Sequence, residues 1–190
     1  AEYYEKAREM AVSRGYLREK ALGASYLGRV YFMLKKYDEA EEILMKASEL
    51  AGKVSPGADI EIQNYRYMAD IHLFSGEAEK AGLCFSRALE LAKRFKAQRE
   101  EGLAYSGLAR TAFIRYEIDR GKDLFEKSSE LLRKGGCRLD LVNTQLDYAQ
   151  HLLGAEQEAS TYDMENETLR RFADELWRML VESEHLLGGT

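Results

Sequence analysis

An all-α fold built of helical hairpins stacked side by side is what this 190-residue sequence predicts, and three observations predict it. The first is a repeat. A segment made of a large apolar residue, a small one and a further apolar one, each three apart, occurs as Tyr4, Ala7, Met10, then Leu44, Ala47, Leu50, then Phe85, Ala88, Leu91, then Phe125, Ser128, Leu131, so the small residue returns after 40, 41 and 40 positions. An independent landmark keeps the same step: Leu27-Gly28 with Tyr31, Met68-Ala69 with His72, and Leu108-Ala109 with Ala112. The second is period. Within each copy the apolar residues are three or four apart, as in Tyr37, Ala40, Leu44, Ala47 and Leu50, and the same stretches are rich in Ala, Leu, Glu and Lys. The third is punctuation, with breakers at Ser55-Pro56-Gly57, Ser75-Gly76 and Gly135-Gly136 and no stretch that alternates with period two. Hairpins of this kind stack because neighbours bury faces that a single hairpin leaves open.

Taken in order, residues 1–14 carry only the second-helix landmark and read as the second helix of a truncated repeat whose first helix lies upstream. Residues 17–54 hold a whole hairpin, with Leu27-Gly28 and Tyr31 on its first helix and Tyr37 to Leu50 on its second. Residues 57–95 repeat it, Met68-Ala69 preceding a turn at Gly76 and Ala81, Phe85 and Ala88 following. Residues 97–134 repeat it again, with Gly121 and Ser128 at the two small places. Residues 138–187 form a divergent last copy: Leu139, Val142, Leu146, Ala149 and Leu152 restart a first helix, but the polar segment 154–167 intervenes before Leu169, Phe172, Ala173, Leu176, Trp177, Leu180 and Val181 mark another helix. Ala173 falls 24 residues after Ala149 where the other copies use 12, which makes the segment an insertion. A loop, a binding lid and an extended helix all fit it. The whole is expected to be one domain.

Composition narrows the function. Hydrophobic residues are 45 % and charged residues 32 % with a single proline, which excludes a disordered or collagen-like chain. The net charge is −5, and residues 154–190 alone contribute −6, so the rest is near neutral; that balance argues against the concentrated excess of Lys and Arg that displaces counterions from phosphate, and a nucleic-acid partner is not expected. There is no apolar run long enough to span a membrane and no signal-peptide core at the start, and no membrane partner is expected. Cys84 and Cys137 form no CxxC pair, so neither a metal site nor a disulfide framework is expected, and a cytoplasmic, reducing location follows. The chain lacks an initiator Met and is expected to be cut from a larger protein.

Catalysis has little support. His72, His151 and His185 stand on different expected helices, no HExxH or GxSxG pattern occurs, and Gly135-Gly136 lacks the Lys-Ser or Lys-Thr of a phosphate loop. No catalytic residue, metal or cofactor is expected. Cys84, between Leu83 and Phe85, should be buried and inert, whereas Cys137 at a turn could sense oxidants. Lys93, Arg94, Lys96 and Arg99 end a helix, where positive charge complements the macrodipole.

The run Leu27-Gly28, Tyr31, Tyr37, Ala40, Leu44 and Ala47, with Gly76, Ala81, Phe85 and Ala88 repeating its second half, resembles the tetratricopeptide repeat across about residues 4–153. The small residues sit where helices cross closely and a larger side chain would overpack. The spacing of about 40 is longer than the usual period and resembles the long-period type found in maltose-regulator-like bacterial activators, quorum-peptide receptors of bacilli, kinesin light chains and spindle-orientation adaptors. The segment from Gly136 to Leu153 resembles the last hairpin of bacterial signalling and transcription regulators. The resemblance implies a right-handed superhelical stack, an α-solenoid, that acts as a non-catalytic scaffold binding proteins or peptides.

It also implies where a ligand would lie. In this family the residue after the small position of each first helix faces the concave groove, which selects Arg29, Asp70, Arg110 and Gln150. One turn earlier on that face come Ser25, Arg66, Ser106 and Leu146, and three residues later come Phe32, Leu73, Phe113 and Leu153. A polar ladder would then run beside an apolar row and suit an extended or helical peptide. Arg29, Asp70 and Arg110 alternate in sign and could instead pair with one another. The Lys and Asn clamp that holds a terminal carboxylate in chaperone adaptors is missing. A signalling-peptide or small-ligand receptor and a self-association module, with homo-oligomers formed through exposed terminal helices, are the alternative readings.

Overall fold

The computed structural model describes residues 2–54 and 58–159, with side chains described for 15–54 and 58–152. Among the described residues there are seven helices and no strand: α1 (Glu2–Met33), α2 (Tyr37–Gly52), α3 (Ala58–Phe74), α4 (Ala78–Arg94), α5 (Gln98–Ile114), α6 (Ile118–Lys134) and α7 (Arg138–Ala159). They gather into two compact units, residues 1–100 and 101–190, so that the division falls within α5.

Five of the connections share one geometry. The helix ends, two residues follow, and the second of them has positive φ: Lys35 (60°), Gly76 (76°), Lys96 (55°), Tyr116 (61°) and Gly136 (67°). In each the next backbone N–H reaches back to a carbonyl five residues earlier, as Lys36 does to Tyr31 and Glu77 to His72, which is the Schellman ending of a helix. Glycine takes this conformation freely, whereas an L side chain there costs about 1–2 kcal/mol. Glycine also loses more entropy on folding, which offsets about half of that. Lys35→Gly, Lys96→Gly and Tyr116→Gly are each expected to raise stability by about 0.5–1 kcal/mol, because all three side chains are exposed and give up no packing. Urea unfolding of the single variants checks it, and any variant that unfolds earlier than the parent contradicts it.

Two helices run further than the sequence indicates. The first repeat was expected to end at residue 14 and the next to begin at 17, yet α1 continues unbroken from Glu2 to Met33. Gly15 lies eight residues after Ala7, as Lys96 does after Ala88 and Gly136 after Ser128, and so occupies a turn position that the chain does not use here. A lone glycine inside a helix costs only about 1 kcal/mol. The strong helix formers on either side, Met10-Ala11 and Leu17-Arg18-Glu19-Lys20-Ala21-Leu22, carry the helix through it. Likewise α7 passes the expected end at 153 and includes residues 154–159 of the polar segment. The remainder of that segment and the helix marked by Leu176 and Trp177 lie outside the described residues.

In residues 1–100, α1 packs on α2, α2 on α3 and α3 on α4, with α1 also touching α3. Each short connection forces the next helix to return antiparallel to the last. Ala40 and Leu44 of α2 meet Met68 and Ile71 of α3 in one buried cluster, and Ala51 of α2 meets Ala21 of α1 and Ile60 of α3 in another. The small landmarks Ala40, Ala47, Ala69, Ala81 and Ala88 are all fully buried. Gly28 shows why they are small: a Cβ there would stand 2.6 Å from Leu44 Cγ. Outside the core, Arg18 of α1 grips Asp59 of α3 with two parallel hydrogen bonds, at 3.0 and 2.8 Å.

In residues 101–190, α6 packs on α7, and Ala109, Phe113, Phe125, Tyr148 and Leu152 form a single cluster. Gly121, at an alanine place of the repeat, lies against the Phe113 ring, where a Cβ would come within 2.5 Å. Ser128, at the other, is fully buried and donates its hydroxyl to the Gly102 carbonyl at 2.7 Å. The repeat therefore keeps its close crossings here with a smaller residue at one place, Gly121, and at the other with a serine whose extra hydroxyl is satisfied by a backbone carbonyl.

Candidate functional site

The expected ligand residues of the first unit are carried by the neighbouring first helices α1 and α3. Ser25 is buried between them, its hydroxyl donating to Asn64 Oδ1 at 2.5 Å. It is a tie inside the packing and not an open surface group. Arg29, one turn on, is exposed, and its guanidinium lies over the Tyr67 ring of α3 at 4.9 Å from the centroid. An exposed cation on a ring face gains about 0.5–1 kcal/mol, which biases the side chain toward this position while it remains open to solvent. Phe32 is half-buried between Tyr37, at 6.0 Å, and Phe74, at 5.5 Å in an edge-to-face contact.

On α3, Arg66 donates to Glu100 Oε2 at 2.6 Å, and Arg99 takes the other carboxylate oxygen at 2.7 Å. With Arg66 and Glu100 only 21 % and 11 % exposed, this is an ion pair within the structure, and removing Glu100 would take the carboxylate from both Arg66 and Arg99. Asp70 and Leu73 stay half-buried on the same helix face, and Asp70 occupies the position of Arg29 one repeat later.

The second unit places its expected residues differently. Ser106 is buried, and Phe113 is a core residue, 5.9 Å from Phe125, 6.1 Å from Tyr148 and stacked at 5.6 Å on His151. The apolar row therefore loses Phe113 to the interior: Gly121 offers no side chain, and the ring fills the space. Arg110 is half-buried and Gln150 exposed. Burial first, and the Arg110 charge second, lower the pKa of His151, against the opposing charge of Asp147. The side chain of Leu153 lies outside the described residues.

Other reactive candidates also resolve into packing. His72 is buried, with Nδ1 2.9 Å from Glu77 Oε2 and Nε2 3.5 Å from Glu41 Oε1, so it bridges two carboxylates within the hairpin stack. Burial, and secondarily the Glu41 charge, raise the pKa of the Cys84 thiol, the opposite of what a nucleophile needs. Cys137 is half-buried, its sulfur 3.5 Å from the Gly135 carbonyl. Among the described residues no group of His, Cys, Asp or Glu could hold a metal ion, and no helix is long and apolar enough to cross a membrane.

Sequence reasoning missed the residues that brace this face: Asn64, Tyr67 and Glu100. Tyr67 alone left a trace, since an aromatic one residue before the repeat landmark sits beside the cation of the preceding copy.

Comparison with known proteins agrees with this architecture. Residues 19–94 match the sequence model of the tetratricopeptide repeat family. No curated protein matches the chain in sequence. Among solved structures, the apo form of RapI aligns over 92 % of this chain with TM-score 0.70 and 13 % identity, and BtubC from P. vanneervenii over 87 % with TM-score 0.65 and 15 % identity. A putative kinesin light chain from P. anserina, described as having nearly identical TPR-like repeats, aligns over 90 % with TM-score 0.53 and 13 % identity. The chain spans 44 % of the RapI chain, 62 % of the BtubC chain and 93 % of the kinesin light chain repeat protein. At these identities the likeness is one of fold: an all-α stack of antiparallel helical hairpins of the tetratricopeptide type.

Proposed function

We propose that this tetratricopeptide-type chain is a non-catalytic scaffold module that binds a protein or peptide partner, and that Arg29, Asp70 and Leu73 contact it within residues 1–100. The observation that carries the reading is Arg29: an exposed guanidinium resting over the Tyr67 ring is a recognition group already positioned before a ligand arrives. Arg110 and Gln150, at equivalent positions, are the corresponding candidates in residues 101–190. The fold supports the binding role because such repeats act by presenting helix faces to ligands. The free thiols Cys84 and Cys137 suit a reducing, cytoplasmic setting, and the part-length match to RapI and BtubC suits a module of a longer regulator.

The test uses the chain as bait to isolate a partner, followed by titration of that partner against the parent and Arg29→Ala. Loss of a charged hydrogen bond is expected to weaken binding by about 1.5–3 kcal/mol. The melting point should hardly move, since the exposed Arg29 supplies little to folding. Unchanged affinity with unchanged melting would move the contact away from this face.

A further inference from the structure

A second surface, unrelated to Arg29 and Asp70, lies between α2, α3 and α4. It is a partly open cavity of about 500 Å³, floored by Met68 and Cys84 and walled by Met45, Ser48 and Tyr65. That volume falls in the range of ligand clefts, about 300–1,000 Å³. On α3 its residues Glu61, Tyr65 and Met68 lie roughly 140° around the helix from Arg66, Asp70 and Leu73, at 100° per residue. The two surfaces therefore do not merge on this helix.

Its chemistry is specific. Met45 in the wall is 51 % exposed and Met68 in the floor is buried, so the apolar lining runs from the interior out to solvent. The rim holds three carboxylates, Glu41, Glu49 and Glu61, and no Lys or Arg lines it. Glu41 is engaged by His72 at 3.5 Å, whereas Glu49 and Glu61 have no ion-pair partner among the described residues. Two cations of α4 stand near this surface and both are already engaged: Arg87 by Glu90 at 2.7 Å, and Lys80, which feels the Glu41 charge, by Glu77 at 2.6 Å. Ser48, nine-tenths buried in the wall, has a hydroxyl with no hydrogen-bond partner. An apolar floor, two unanswered carboxylates and an unsatisfied hydroxyl together describe a site for a long side chain with an aliphatic stem and a cationic head.

We propose that this cavity docks a basic amphipathic peptide segment of a partner protein. One Lys or Arg would lay its stem across Met45 and Met68 and deliver its charge to Glu49 and Glu61, and a neighbouring apolar residue would enter toward Cys84. Charge complementarity selects this occupant: an acidic segment would be repelled, and a purely apolar one would leave the carboxylates facing it without partners. A peptide is favoured over a free small cation because the carboxylates and the exposed Met45 line an open groove, so that a single head group covers only part of it.

The experiment uses the full chain with its methionine methyl groups labelled for NMR. The probe is a short amidated peptide of Leu, Ala and Arg in helical order, compared with the same peptide carrying Glu in place of Arg and with arginine methyl ester. The basic peptide should shift the Met45 and Met68 signals saturably and leave Met33, exposed on α1, in place. Glu49→Gln with Glu61→Gln should weaken it about tenfold or more, the loss of roughly one charged contact. Neither carboxylate has an ion-pair partner among the described residues, so the variant should melt close to the parent. Absence of a saturable shift at Met45 and Met68 overturns the proposal. So does equal binding of the acidic peptide, or indifference to the double substitution. Arginine methyl ester binding as tightly as the peptide would overturn it in favour of a small-cation site.

Discussion

Phe125→Ala is expected to lower stability by about 3–5 kcal/mol, the cost of emptying a large aromatic from a close-packed interior. Phe125 is 1 % exposed and central to its cluster, with its ring 5.9 Å from Phe113, 4.9 Å from Tyr148 and 6.5 Å from His151. Each aromatic pair adds about 0.5–1.5 kcal/mol beyond its buried area. The cavity has few ways to collapse. Phe113 is already pressed on the Gly121 backbone, and a ring cannot change its volume to follow. Chemical denaturation followed by circular dichroism measures the loss, and Phe125→Leu should recover part of it by refilling some of the volume. A cost below about 1.5 kcal/mol would mean that the ring is not the keystone of this cluster.

Phe125 was legible in the sequence, and so was most of the fold. The landmarks at Ala47, Ala88 and Ser128 are spaced by the stacking itself, since each close helix crossing demands a small residue at the same point of the copy. Turns were legible only where they use glycine. Gly76 and Gly136 announce themselves, but Lys35, Lys96 and Tyr116 take the same left-handed conformation with ordinary side chains and leave no compositional mark. Gly15 errs the other way. It has the residue and the register of a turn, yet α1 passes through it, because local helix propensity outweighs one glycine.

The candidate site was less legible, for a physical reason. Position in the repeat fixes which way a Cα–Cβ bond points, but not what meets the side chain's end. Phe32 and Phe113 hold the same place, yet Phe113 turns into the core over Gly121 while Phe32 stays half-buried beside Phe74. Arg29 and Arg66 are both cations of the expected ladder. One rests on Tyr67 and stays open, and the other is neutralised by Glu100, a partner 34 residues away that periodicity does not single out. The acidic cavity was missed because its α2 stripe, Glu41, Met45, Ser48, Glu49 and Gly52, mixes charged, apolar and small residues and produces no amphipathic signal.

Leu44→Ala and Gly28→Ala are expected to be harmful singly and to compensate each other. Leu44 is fully buried, and its truncation alone should cost about 2–5 kcal/mol. Gly28→Ala alone places a methyl group 2.6 Å from Leu44 Cγ and 2.8 Å from Cδ2, closer than packed carbons approach, so Leu44 must leave its rotamer or α1 and α2 must part. The overpacking cost is about 1–3 kcal/mol. In the Leu44→Ala background both of those atoms are gone. The nearest remaining contact of the new methyl is the Ala40 carbonyl oxygen at 3.4 Å, an ordinary distance. The methyl then fills part of the space that Leu44 left, and alanine is the better helix former by about 1 kcal/mol. Gly28→Ala should therefore change from destabilising to neutral or stabilising, with an interaction energy of about 1–3 kcal/mol in the double-mutant cycle. Urea unfolding of the four proteins supplies the cycle. Additivity within about 0.5 kcal/mol would show that Gly28 and Leu44 do not meet, and with that contact the small-residue crossing that sets the register of every repeat would be lost.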